Sequence, residues 1–401
     1  MMKNTTDSKF VPDYQKFVAH NIASLKKSGI REFFDLVATM DDDVISLGVG
    51  EPDFVTPWSI RESAIFSIER GHTAYTSNPG VLELRQEICR YVQQNYQVTY
   101  DPAHECIVCV GVSEALDIAI RAITNPGDEI LYTEPCFVSY PAEIIMAHGV
   151  PVPIETHEAD GFALNPDILR SKITPKSKAL LINFPCNPTG ATMSYQELEE
   201  IAKIAVEHDL LILTDEIYSE LSYDGRHVSI ASLPGMRERT IFMHGFSKAF
   251  AMTGWRIGYV CAPQELIDPM LKIHQYMIMC APTNAQAAAL EALKSGRPQM
   301  ESMRDTYRER RDILVHGFNE IGLKCHLPHG AFYTFPNITS TGLSSREFAS
   351  RLLQEHKVAV VPGSAFGECG EGYVRACYAT STEEIIRALE RMGDFVKSLK
   401  K

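Results

Sequence analysis

The stretch KALLINFPCNPTGATMSYQELEEIAKIAVEHDLLILTDEIY, residues 178–218, contains one complete unit of the fold. KALLINF and LLILTDE are apolar runs of strand length, and such near-continuous runs occur where a sheet is covered on both faces. Between them Leu198–Glu207 reads as a helix, opened by Ser194 with Glu197 three residues later, a capping box. Pro185, Pro188 and Gly190 force a tight turn after the first run. The order is strand, turn, helix, strand.

The pattern extends in both directions. CIVCV (106–110), DEILYT (128–133), VPVPIET (150–156), TIFMHG (240–245) and IGYVCA (257–262) are further strand candidates, with Glu114–Ile123 as another helix. Strands alternating with helices predict an α/β fold, with a mostly parallel seven-stranded sheet sandwiched by helices. After about residue 293 the texture changes. A charged helical stretch, MRDTYRERRDILVHGF, leads to GAFYTF, another helix, the strand VAVVPG, and a last helix over about 383–397 that Ser381 and Glu384 cap. We therefore expect a large domain over 51–293 and a smaller, discontinuous α+β domain from 1–50 and 294–401.

Composition sets limits. The 401 residues carry 38 Lys+Arg and 51 Asp+Glu, a formal charge of −13. That balance argues against a nucleic-acid binder, which would show a basic face. It leaves room for a local basic pocket. The N-terminus MMKNTTDSKF is too polar for a secretory signal, and no apolar run is long enough to span a membrane. The ten cysteines are scattered, unlike a secreted disulfide framework, so a reducing cytoplasm is expected. Cys106 and Cys109 form a CxxC, but no second pair or histidine follows at ligand spacing, so it reads as buried strand and no metal site is expected.

Four stretches carry chemistry. In GFSKAFAMTGWRIGY (245–259), Lys248 sits among Phe246, Phe250, Met252 and Trp255. A lysine in apolar surroundings has a lowered pKa and becomes an amine nucleophile, which a carbonyl cofactor needs. In LLILTDEIY, Asp215 closes an apolar run at a strand's C-terminal end, where open α/β sheets bind ligands. Read alone, it is equally a helix cap or a turn residue. In NFPCNPTG (183–190) the turn could aim the Asn187 amide into a cleft. In VGVSEALDIAI (110–120) the N–H groups near Gly111–Ser113 could hold a phosphate at a helix N-terminus.

Together and in this order, these stretches resemble the fold-type-I pyridoxal-phosphate aminotransferases of class I/II, in the branch with aromatic, broad-specificity and prokaryotic aspartate aminotransferases. The resemblance runs from LGVGEPDF (47–54) to YVRACYAT (373–380). It implies a homodimer that binds pyridoxal 5'-phosphate and passes the amino group of an L-amino acid, aromatic or broad in range, to a 2-oxoacid such as 2-oxoglutarate. Lys248 would hold the cofactor covalently and move the proton between substrate Cα and cofactor C4′. Asp215 would pair with the ring nitrogen, Asn187 and Tyr218 would bind the ring 3-oxygen, and Phe137 would stack on the ring.

By the same resemblance Gly111, Val112, Ser113, Ser247 and Arg256 would hold the phosphate, joined by Tyr75 from the partner subunit. Arg375 would fork onto the substrate carboxylate, with Asn187 and the Gly50 N–H beside it. The segment around Ser28 to Ile30 would close over the substrate. Gly245 stands where some relatives have a phosphate-binding serine, and Ser113 where some aspartate-specific ones have a lysine. With apolar Ile30, the latter favours aromatic or aliphatic substrates over strictly acidic ones. Two other functions share part of this pattern. A C–S β-lyase shares the lysine and aspartate, although AMTGWR and GEPDF read more like a transferase. A ligand-sensing regulator would need a DNA-binding domain, and no helix-turn-helix precedes residue 50.

Overall fold

A computed structural model of the chain describes residues 12–25, 29–30 and 43–399. In chain order the strands are β1 (Ile45–Ser46), β2 (Cys106–Cys109), β3 (Glu129–Glu134), β4 (Val150–Glu155), β5 (Ser177–Ile182) and β6 (Leu211–Asp215). They continue as β7 (Thr240–Gly245), β8 (Gly258–Cys261), β9 (Tyr333–Thr334), β10 (Val358–Ala359), β11 (Val361–Pro362) and β12 (Val374–Cys377). The seven runs read from the sequence form one sheet, in the order β2-β8-β7-β6-β5-β3-β4. Neighbours from β4 to β7 run parallel, and β8 is antiparallel to both β7 and β2.

Both faces of this sheet are buried, which is why its strands lack a polar face. Leu180, Ile182 and Ile212 pack with Leu198, Ile201 and Ala205 of the helix Tyr195–Glu207. Their sequence neighbours Leu181 and Leu213 point the other way, toward Ala115, Ile118 and Ala119 of the helix Gly111–Ile123. This is strand alternation with apolar residues at every position. Each such Leu or Ile contributes roughly 1.5–3 kcal/mol on burial. The capping box forms as read: Ser194 Oγ accepts from Glu197 N, and Glu197 Oε2 accepts from Ser194 N. β4 tolerates Pro151 and Pro153 because it is an edge strand, where a missing N–H leaves no ladder bond unmade.

The CxxC resolves in the same terms. All four residues of β2 are buried, and Cys106 and Cys109 belong to different cores. At spacing three on a strand their thiols leave from opposite faces, so they cannot pair with each other. Cys106 instead lies near the thiols of Cys89 and Cys261, within 4.8 Å.

Residues from both chain ends form the smaller sheets. β1 pairs in parallel with β10, while β11, β12 and β9 make an antiparallel sheet. VAVVPG, read as one strand, is divided at Val360 because its halves pair in different sheets. The last helix runs over Thr382–Leu399, with Ser381 Oγ accepting from Glu384 N at 3.2 Å. Among the described residues no helix is long and apolar enough to cross a membrane.

Candidate active site

The C-terminal ends of the parallel strands converge on one cavity of about 290 Å³. β6 delivers Asp215 at its last position, and β5 runs directly into Asn183. Asn183 joins the two, since its Nδ2 donates to Asp215 O at 2.7 Å and its Oδ1 accepts from Asn187 N at 3.0 Å. Gly190 N donates to Cys186 O at 2.8 Å and closes the NPTG turn. The Asn187–Pro188 bond, which the sequence could not decide, is cis. Asn187 is buried, and its Oδ1 accepts from Arg375 Nη1 at 2.9 Å.

Lys248 follows β7. Its Nζ donates to Gly50 O at 2.7 Å and lies 5.9 and 5.5 Å from the ring centroids of Tyr218 and Phe332. Removal of water by these walls lowers its pKa to about 8, and the nearby Arg375 and Arg256 charges push the same way. Asp215 is shifted oppositely. Burial raises its pKa to about 6, against hydrogen bonds from Tyr140 OH at 2.8 Å and Ile217 N at 3.2 Å, which favour the ionised form. A carboxylate that is costly to bury and lacks a cationic partner suits a site where a ligand brings the positive charge.

The β2–helix junction makes a cradle. Gly111 has φ +75°, and a Cβ there would come within 2.8 Å of Arg256 Nη2, so only glycine lets the guanidinium lie against the turn. The helix Gly111–Ile123 starts here, with Ser113 exposed in its first turn. Arg256 Nη1 donates to Thr253 O at 3.0 Å, and Ser247 and Thr253 line the same corner. Helix N–H groups, hydroxyls and a guanidinium could hold a phosphate here.

Arg375, also on the lining, lies close to the rings of Tyr333 and Phe366, 4.4 and 4.8 Å from their centroids. Nη2 donates to Gly48 O at 2.7 Å, while the buried Nε has no partner. An unpartnered N–H on a buried guanidinium is expensive unless an anion meets it. Tyr333 OH also lies 2.9 Å from Tyr218 OH. A Cβ on Gly50 would fall 2.3 Å from that Tyr333 hydroxyl, so glycine is required for the close approach.

Nearly every residue singled out from the sequence meets at this cavity. Ile30, Gly50, Val112, Ser113, Phe137, Asn187, Asp215, Tyr218, Ser247, Lys248, Arg256 and Arg375 line it, and Gly111 underlies it. The contact Gly50 makes is through its carbonyl, to Lys248. Phe137 packs edge-on to Tyr140, with centroids 5.8 Å apart. Tyr75 is not brought in; it is 81% exposed, outside its own chain's pocket. Ser28 lies outside the described residues. Six lining residues carried no role in the sequence reading: Leu116, Tyr140, Asn183, Ile217, Thr253 and Tyr333. Asn183 and Tyr333 stood inside quoted motifs, and Tyr140 three residues after Phe137 was the available signal.

The site therefore fits pyridoxal 5'-phosphate on its own chemistry: a phosphate cradle, a desolvated amine, and a buried carboxylate awaiting a cation. The comparisons agree. The chain is 55% identical over 380 residues to the Bacillus subtilis protein YugH, covering 95% of this chain and 98% of that one. It is 48% identical to an aspartate aminotransferase of Pyrococcus abyssi, covering 93% and 96%. The crystal structure of an aromatic aminotransferase from Pyrococcus horikoshii superposes with a TM-score of 0.88 at 47% identity, covering 92% and 99%. The profile of aminotransferase class I and II matches residues 42–392, and the chain belongs to that family.

Proposed function

We propose that the chain acts as a homodimer that moves the amino group of an L-amino acid, with aromatic or broad specificity, to a 2-oxoacid such as 2-oxoglutarate, at the cavity described above. The family's enzymes use pyridoxal 5'-phosphate, which, when bound, withdraws electrons from the substrate Cα. The observation that carries the reading is that one cavity is lined by Lys248, Asp215 and Arg375 together.

Each residue then has a task. Arg375 takes the α-carboxylate in a two-point grip that every amino acid can satisfy. The rings close to it fix the plane of the guanidinium and so orient Cα toward Lys248. Lys248, free to exist as an amine near neutral pH, takes the proton from Cα and returns it on the far side of the transfer. Asp215 would keep the ring nitrogen protonated. Asn187 and Tyr218 would bind the ring oxygen, and Phe137 would cover the ring face. Gly111, Val112, Ser113, Ser247 and Arg256 would hold the phosphate, with Tyr75 arriving from the partner subunit.

Support for a dimer lies in exposed apolar surface. Val55, Trp58, Ile65, Phe66 and Ile68 on and beside the helix Trp58–Glu69 are exposed, as are Tyr75 and the run Tyr276–Met279. Such patches mark protein interfaces. We place the large domain at 51–293, around the seven-stranded sheet, and the small one at 1–50 with 294–401, whose N-terminal segment closes on the site. All ten cysteines are free thiols, in keeping with a cytoplasmic enzyme.

The preference for uncharged side chains rests on the lining. Among its described residues the cations are Lys248, Arg256 and Arg375, each already assigned, while Ile30, Phe137 and Tyr333 are apolar or aromatic. The test adds each amino acid to the cofactor-loaded enzyme and follows the change in the cofactor's visible band. Fastest conversion by aromatic amino acids supports the reading, and a sharp preference for aspartate overturns it. Pyruvate and ammonia released from cystathionine without a 2-oxoacid would mark a lyase instead.

A further inference from the structure

His274 lies in the helix Gln264–Met277 and is completely buried. Its Nε2 is 2.8 Å from the carbonyl oxygen of Asn78, and its Nδ1 is 2.6 Å from Glu114 Oε1. A carbonyl oxygen only accepts, so Nε2 carries a hydrogen. The short Nδ1–Oε1 contact needs a second hydrogen between its atoms, on one side or the other. The pair therefore holds one proton more than a neutral imidazole beside a carboxylate. Cys109 lies close enough to Glu114 and His274 to suggest a metal ligand set. Both imidazole nitrogens are taken up by hydrogen bonds, however, leaving no lone pair for a cation.

The two ends of this contact lead to different places. Glu114 sits in the first turn of the cradle helix, and its other oxygen accepts from the N–H of Val110, the residue before Gly111. Asn78 belongs to the loop that carries Tyr75. That loop is pinned by Asn78 Nδ2 donating to Met279 O at 2.8 Å and Gln286 Nε2 donating to Thr76 Oγ1 at 3.1 Å. From Gly111 to Tyr75 the connection runs through Val110, Glu114, His274 and Asn78. We propose that the His274–Glu114 pair is a strut tying each subunit's own phosphate cradle to the Tyr75 arm it extends to its partner, coupling cofactor binding at the two sites of the dimer. This rests on the dimer and phosphate assignments above, and makes His274 and Glu114 positioning residues.

The chemistry of replacement gives the test. In Glu114→Gln the amide N–H can donate to Nδ1 of a neutral histidine, and the amide oxygen can still accept from Val110 N. Every contact survives without the extra proton. Glu114→Ala and His274→Ala break the connection and strand buried polar groups. Dissociation constants are measured by equilibrium dialysis for pyridoxal 5'-phosphate and for pyridoxal, which lacks the phosphate. The expected result is a loss of roughly tenfold or more for the phosphate form in both alanine variants, little change for pyridoxal, and near-normal binding in Glu114→Gln. Equal losses for both probes, or a Gln variant as weak as the Ala one, would overturn the strut.

A hybrid dimer of one His274→Ala chain with one otherwise unaltered chain separates the two ends. Weakening at both sites, with no phase of normal affinity, is expected. A normal-affinity phase at half stoichiometry overturns the coupling. Failure of the underlying phosphate assignment would show differently, as Arg256→Ala and Ser113→Ala losing no discrimination between the two probes.

Discussion

Tyr140 donates its hydroxyl hydrogen to Asp215 Oδ2 at 2.8 Å, so a buried phenol braces the carboxylate that ends β6. A donor to the ionised form lowers a carboxyl pKa, and here it opposes the larger effect of burial. Tyr140→Phe should therefore move the Asp215 pKa upward from about 6, shrinking its ionised fraction near neutral pH. Titration of ¹³C-labelled aspartate carboxyls in the cofactor-free protein checks this. An unmoved or lowered pKa would refute the bracing role.

Asp215→Asn should separate stability from function. The folded-state pKa of about 6 lies above the ordinary 3.8, so the folded protein holds the proton more tightly than the unfolded one. Ionised Asp215 then costs stability, with the penalty growing from about pH 4 to 6 and constant above. About two pKa units correspond to about 3 kcal/mol at most. Asparagine can still accept from Ile217 N and pair with Tyr140. The cofactor-free variant should melt above the parent at pH 8 and level with it near pH 4, while binding cofactor more weakly and turning over far more slowly. A variant less stable at pH 8 would contradict this.

For Lys248 the displacement is downward, to about 8 from 10.5. On the order of a hundredfold more free amine is then available near neutral pH than in an exposed lysine. The rate of cofactor capture by cofactor-free enzyme should rise with pH and level off just above 8. A rise continuing toward 10.5 would show that the pocket does not desolvate the amine. Lys248→Ala should abolish turnover.

Three residues legible in the sequence share one property: each stands at the end of an apolar run or in a turn whose shape is locally encoded. Asp215 ends β6, Asn187 lies in a proline–glycine turn, and Lys248 follows β7. The seven strands were legible for a related reason, because two-sided burial leaves continuous apolar runs. Tyr140 and Tyr333 act only through proximity that the tertiary fold creates. Tyr140 reaches a partner 75 positions away, and His274 meets Glu114 across 160. In a single chain such side chains look like any other core tyrosine or histidine. The division of VAVVPG between two sheets was hidden for the same reason.

Arg375→Lys keeps the charge but loses the planar group close to the rings of Tyr333 and Phe366, and with it the fork. A hydrogen bond between charged groups is worth roughly 1.5–3 kcal/mol, so KM for amino-acid donors should rise roughly 10- to 100-fold. Cofactor affinity should stay within about twofold if, as proposed, Arg375 holds the substrate carboxylate and not the cofactor. Equal losses in both would place Arg375 in the cofactor site instead.

Gly111 and Gly127 allow the cradle to be tested against a matched control. Both have positive φ, +75° and +90°, so alanine at either position strains the backbone by about 1 kcal/mol. Nothing lies within 4 Å of a Cβ at Gly127, whereas one at Gly111 meets Arg256 Nη2 at 2.8 Å. The two alanine variants should lose similar amounts of thermal stability. Only Gly111→Ala should displace the guanidinium and weaken pyridoxal 5'-phosphate relative to pyridoxal. If the paired variants retain equal affinity for both compounds, the turn does not hold the phosphate, and Arg256 does not act through its contact with Gly111.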